Sequence, residues 1–275
     1  MSAHLTHESP TKFSGNPTED QSDRCLSYRP IRSLQNGRIV AIEALGIPIE
    51  PQDAIKDGSA SVAIEVLWRH IAQLTRWQLS SFRGIPMSIK LPCGCLGNPQ
   101  LISELAATVD RLGLQRGLLN LGPIPSPIFD LNIIDILQPI RLLGFHTAAD
   151  YPTNHSGNLD RLLLGIDFLE VDFSSAATQL SSEEMRERVM ELLVQTRRIE
   201  LPIVANGIRA LADYEWLRAT KGIDSAQGSF FWDAMTAETL LRMEVNFDKL
   251  FSKGWKVRGG KFIPNNPLYF RPFPF

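Results

Sequence analysis

In the stretch Gly37-Arg38-Ile39-Val40-Ala41-Ile42-Glu43-Ala44-Leu45, an apolar run rich in branched residues follows an Asn36-Gly37 turn signal and carries one acid near its exit. That pattern predicts a short buried strand. Tyr28-Arg29-Pro30-Ile31, just upstream, is itself strand-like and leads into the same turn. A carboxylate at the end of a buried strand needs a partner or a chemical task, because an unpaired buried charge is costly.

Outward from this stretch the chain alternates. Val62 to Leu79 carries helical spacing, and Met87 to Leu91 is a strand ended by Pro92. Leu101 to Leu112 is helical, Leu118 to Leu121 a strand, Ile128 to Leu143 a helix closing at Gly144, and Phe145 to Ala149 a strand. Asp167 to Val171 is the next strand. Ser182 to Arg198 is a helix with acids at its start and Arg197-Arg198 at its end, in the sense the helix dipole favours. Ile203 to Ala205, Leu211 to Ala219, Ser225 to Phe230 and Thr236 to about Leu250 continue as strand, helix, strand and helix. Eight short strands alternating with helices predict a parallel α/β sheet closed into a (β/α)8 TIM-like barrel.

In such a barrel the working residues close the strands at their C-terminal ends. Here these are Glu43, Lys90, Asn120, Asp150, Glu170, Asn206 and Gln227. The ring is polar, but it is poor in the carboxylates that would hold a pair of divalent ions. Each residue also has a structural reading: a solvated strand-end acid, a loop cap, or an amide that satisfies turn backbone.

At 275 residues and 44% apolar content the chain can bury a sizeable core. Its 28 basic and 30 acidic residues nearly cancel, so no global field would hold it on nucleic acid or an anionic membrane. No apolar run reaches the ~20 residues that span a bilayer, and residues 1–24 are polar with no apolar leader. The expectation is a cytoplasmic protein with a flexible tail over 1–24, a barrel over 25–250 and a Pro/aromatic tail over 251–275. That last tail either packs on the barrel or serves as a peptide ligand. Cys25, Cys93 and Cys95 show no zinc spacing and read as reduced structural thiols, and no histidine pair has ligand spacing.

Glu43-Ala44-Leu45 and the segments after it resemble the EAL domains, bacterial phosphodiesterases of cyclic di-GMP. The resemblance runs from about Leu26 to Leu250 and implies an EAL-type barrel whose first strand is antiparallel. Several chemical positions depart from the family pattern. Gly46-Ile47 stand where the family has a Leu and a substrate-gripping Arg, and Lys90 in Ile89-Lys90-Leu91-Pro92 replaces a neutral metal ligand. Asn120-Leu121-Gly122-Pro123 is similar to a Glu-x-Thr-Glu segment without its acids. Of the Asp-Asp-Phe-Gly-Thr-Gly loop only the first acid, Asp150, remains. Glu170-Val171-Asp172 reverses the charge of a lysine and keeps the acid, Ala205-Asn206-Gly207-Ile208-Arg209 keeps a turn glycine, and Gln227-Gly228 is intact.

Glu43, Asp150, Asp172 and Gln227 are thus remnants of the family's site, and Lys90, Asn120, Glu170 and Asn206 are substituted positions. The resemblance then implies a chain that is not an enzyme, with no catalytic residue, no metal and no cofactor. It would be a regulator acting through contacts with another protein, such as a transcription factor, in motility, biofilm or transcription control. The alternatives are a cyclic di-GMP receptor that binds without hydrolysis, or a residual phosphodiesterase. A homodimer is compatible with either. Lys90 is expected to pair with Glu43, and with Asp150 or Glu170, and the loop from Asp150 to Asn158 to be mobile.

Overall fold

The computed structural model describes residues 26–46, 57–124, 132–151, 165–173, 182–196, 200–242, 255–258 and 261–264. The expectations for the tail over 1–24, for the loop after Tyr151 and for residues 265–275 lie outside the described residues.

Eight strands close a barrel in sequence order: β1 (Ser27–Ser33), β2 (Ile39–Leu45), β3 (Met87–Pro92), β4 (Leu119–Ile124), β5 (His146–Tyr151), β6 (Phe168–Asp172), β7 (Ile203–Asn206) and β8 (Ser225–Ala226). Neighbours from β2 to β8 pair in parallel, whereas β1 is antiparallel to both β2 and β8. The cause is local. Gly37 takes φ 72°, its N–H donates to the Ser33 carbonyl, and the Arg38 N–H donates to Asn36 Oδ1, so the chain turns back within four residues. A two-stranded turn of this kind can only deliver antiparallel strands.

Helices α1 (Asp57–Trp77), α2 (Cys93–Leu96), α3 (Pro99–Arg111), α4 (Asn132–Leu142), α5 (Ser182–Thr196) and α6 (Leu211–Ala219) fill most of the connections, and 237–242 are helical after β8. α3 starts two residues before its apolar spacing does, because Asn98 Oδ1 accepts from the Gln100 and Leu101 N–H groups and Pro99 occupies the first helical position. α1 likewise begins at Asp57 rather than Val62 and ends at Trp77.

The last barrel strand is shorter than Ser225 to Phe230, since Gly228 turns the chain at φ 150° onto the Ile208 backbone. Trp255–Arg258 (β9) and Lys261–Pro264 (β10) form an antiparallel ribbon where the sequence suggested an irregular tail.

Two apolar clusters follow from strand alternation. A large one fills the space between the outward faces of the strands and the helices, with Leu67, Leu74, Leu105, Leu137, Val189 and Leu217 buried. A small one, Ile31, Ala41 and Val204 with Phe168 against it, plugs the inside of the barrel. Polar inward positions lie one step further along each strand, so the plug is the floor of a polar mouth.

Candidate functional site

Register places the mouth residues. Glu43 lies level with Ser88, Ser88 with Asn120, Lys90 with Gly122, Asp150 with Glu170, and Asp172 with Asn206. Level residues on adjacent strands share a face, so these inward positions form two tiers. Asn120 is in the deeper tier, because β4 runs on to Ile124 instead of ending near Leu121. It is buried and its Oδ1 has no hydrogen-bond partner among the described residues. Gly122 stands at the level of Lys90, and a Cβ there would lie 3.3 Å from the Ala148 carbonyl oxygen of β5.

The side chains make one continuous network. Arg29 Nη1 lies 3.5 Å from Glu43 Oε2, to which Gln227 Nε2 also donates at 3.0 Å. The same Gln227 amide donates to Asn206 Oδ1 at 2.8 Å, and Asn206 Nδ2 donates to Glu170 Oε2 at 2.7 Å. Lys90 Nζ then bridges Glu170 Oε2 at 2.8 Å and Asp150 Oδ1 at 2.5 Å. Lys90 thus has two of the three carboxylate partners expected for it. The third, Glu43, is held by Arg29 and Gln227 instead. Asp172 is half-buried at the end of β6. Arg29 and Gly122 are the site residues that sequence reasoning missed. Arg29 was legible in principle, because it pairs with Glu43 across the β1–β2 hairpin.

Electrostatics grade this network from floor to rim. Glu170 is 1% exposed, the Lys90 side chain 20% and Asp150 35%. Burial, and then the nearby Glu170 charge, raise the Glu43 carboxyl above its usual range. Asp150 is raised to about 7, by burial first and by Glu170 against the opposing pull of Lys90. The Lys90 ammonium is held above the usual lysine range by Glu170, Asp150 and Glu43, which together outweigh its desolvation. Gln227 is positioned by backbone: its N–H donates to Ala205 and its carbonyl accepts from Ile208.

The mouth does not suit a resident pair of divalent ions as it stands. The Lys90 ammonium fills the space between Asp150 and Glu170, and among the described residues no group of three or more His, Cys, Asp or Glu is arranged to hold a metal. Ammonium and dication would repel each other strongly at that distance.

Comparison with known proteins bears on what such a barrel does. A curated relative, the probable cyclic di-GMP phosphodiesterase PdeB of Escherichia coli (strain K12), is 23% identical over 245 residues, which are 81% of this chain and 45% of that protein. The chain therefore spans about half the length of this curated relative. Among solved structures, the PaMucR phosphodiesterase in complex with c-di-GMP matches with TM-score 0.68 at 22% identity over 80% of this chain and 96% of that one. An EAL domain protein from Listeria monocytogenes EGD-e matches with TM-score 0.64 at 19% identity over 85% of this chain and 100% of that one.

The expectation that the chain is not an enzyme is overturned by these matches. The curated relative is named a phosphodiesterase, and nothing in the geometry shows a loss of activity. Substituted side chains had suggested inactivity, but a substituted mouth that keeps an ammonium between two carboxyls still carries charged and ionisable groups. The EAL domain family model matches residues 18–234, most of the chain and all eight barrel strands, and the chain belongs to the EAL domain family.

Proposed function

We propose that this chain works in cyclic di-GMP signalling as a phosphodiesterase, opening the cyclic dinucleotide at the barrel mouth. The observation that carries the reading is the Lys90 cluster: a cation fixed between two carboxyls at the open, C-terminal end of the strands. Hydrolysis of a phosphodiester needs positive charge beside the phosphoryl oxygens and a group to accept the proton of the attacking water. Lys90 would supply the charge. Asp150, the more exposed of the two acids that hold it and raised to about 7, would take the proton. Water oxygen bonds to phosphorus, one ribose–oxygen–phosphorus link breaks on the phosphorus side, and the proton passes by way of Asp150 to the departing ribose oxygen. Glu170, oriented by Asn206, keeps the ammonium in place, and Gln227 does the same for Glu43.

The test is incubation of the purified chain with cyclic di-GMP, with and without Mg²⁺ or Mn²⁺, and chromatography of the products. Linear dinucleotide is expected from the parent, with a fall of about a hundredfold or more in Asp150→Asn, in the range for loss of an acid–base group. Calorimetric binding without any linear product would favour the receptor reading instead. Neither binding nor product would sink both.

A further inference from the structure

At the end of the barrel opposite the mouth, charge is unevenly spread. The connections that enter β2, β3, β4 and β5 arrive there side by side, because these four strands are neighbours and run in parallel. Residues 34–40, 76–86, 110–118 and 141–146 of these connections contain six arginines and one acid, Asp110, in a chain whose net charge is −2.

Two of the arginines are braces. Arg116 binds Asp110 at 2.6 Å and donates to the Leu143 carbonyl at 2.7 Å, which ties the connection into β4 to the one into β5. Arg141 binds Asp167 at 2.8 Å, and Asp167 accepts from the Thr147 N–H of β5. The other four, Arg38, Arg76, Arg83 and Arg111, are exposed and pair with no acid among the described residues. Arg76 and Arg111 stand in the last turns of α1 and α3, where the helix dipole favours a cation. Arg38 and Arg83 lie outside the helices, so the dipole does not account for them.

The same rim holds apolar side chains in water. Leu79 is 91% and Leu142 82% exposed, and Leu112 and Val40 are exposed as well. Each of the four lies within three residues of an arginine of its own connection. They stand singly on separate, braced connections, so they form protruding points and not a groove that one rigid partner could fill. A fluid lipid interface takes such points without matching their spacing, and its anionic headgroups supply the counter-charge that the arginines lack.

We propose that this floor rim docks on an anionic phospholipid surface, with Leu79 and Leu142 inserted at the headgroup boundary and Arg38, Arg76, Arg83 and Arg111 against the headgroup anions. The attachment is peripheral, since no helix among the described residues is long and apolar enough to cross a membrane. The mouth, at the opposite end, is left open to water.

The test is flotation of the full chain with vesicles of phosphatidylcholine alone and with about one-third phosphatidylserine, at low and high salt. The parent should float with the anionic vesicles, release as salt is raised, and stay unbound with phosphatidylcholine alone. An arginine near an anionic surface contributes roughly fivefold to binding, so Arg76→Ser/Arg83→Ser should weaken it about twenty-five-fold, and Arg38→Ser/Arg111→Ser, on the neighbouring connections, by a similar factor. Leu79→Asn/Leu142→Asn should weaken it about tenfold or more without changing its salt dependence. All six side chains are exposed, so the variants should keep the parent melting temperature. A parent that does not float, equal binding to phosphatidylcholine alone, or parent-level binding by the variants, which assigns attachment to another part of the chain, overturns the proposal. So does self-association by light scattering that Leu79→Asn/Leu142→Asn abolishes while no form floats, which gives the rim to a second copy.

Discussion

Replacing Lys90 by methionine keeps most of the stem and removes the charge on which Glu170 and Asp150 both depend. Glu170 is almost fully buried, so losing its cation should destabilise the fold by about 2–3 kcal/mol, discounted from a fully buried pair because the Lys90 side chain is 20% exposed. Urea denaturation at pH 7 measures this, and an unchanged midpoint would mean that the bridge contributes nothing. Most of these residues were legible as strand ends in the sequence, but their partners were not. Lys90 reaches from β3 to Asp150 on β5 and Glu170 on β6, and that relation exists only once β3, β4, β5 and β6 are in register. Glu43 was expected to turn to Lys90. It sits beside Arg29 instead because the hairpin register brings that arginine opposite it.

At the scale of elements, Gly228 has no room for a side chain. A Cβ there would lie 2.2 Å from the Ile208 carbonyl oxygen and 2.4 Å from its nitrogen, at φ 150°. Gly228→Ala should therefore cost at least about 3 kcal/mol and loosen Gln227 from Glu43. Differential scanning calorimetry checks the first effect. A wild-type Tm would contradict the clash. A milder case is Asn98→Ala, which removes the α3 cap and should cost about 1 kcal/mol in the same measurement. Element type was legible wherever apolar spacing was long, as in α1 and α3. Boundaries were set by features that spacing does not carry, such as the Asn98 cap and the turn at Gly228.

Over the whole molecule, two titratable groups, the buried His70 and the part-exposed Asp150, pull stability in opposite directions with pH. His70, buried against Tyr28 with Nδ1 3.2 Å from the phenol oxygen, is lowered to about 4, chiefly by burial. Its contribution is present above the ordinary value of 6.5 and is lost as pH falls from there toward 4. Asp150 is raised to about 7, so its contribution is complete below the ordinary value of 3.8 and is lost as pH rises through 7. Between pH 6.5 and 4 the two slopes oppose each other, and the raised Glu43 acts in the same sense as Asp150. His70→Phe should therefore gain stability on acidification from pH 6.5 to 4.5 relative to the parent, and Asp150→Asn should lose it. Urea midpoints at the two pH values decide this, and parallel shifts in both variants would refute the assignment. Barrel closure was predictable from eight alternating strands. The division of its inside into an apolar floor and a charged mouth was not, because it depends on which residues end up level across eight strands.

The reversed direction of β1 has a consequence for polarity. In a barrel whose strands all run one way, the chain enters at the floor. Here β1 runs against β2 and β8, so Leu26 and Ser27 stand on the same side as Leu45, at the mouth, and Arg29 reaches Glu43 from that side. Tyr28 is tied there to Met235, in the segment after β8, by backbone hydrogen bonds in both directions. The strand that seals the seam is thus also the doorway. A segment joined ahead of β1 is delivered at the mouth, where a shift of that one strand draws Arg29 from Glu43 without crossing the barrel.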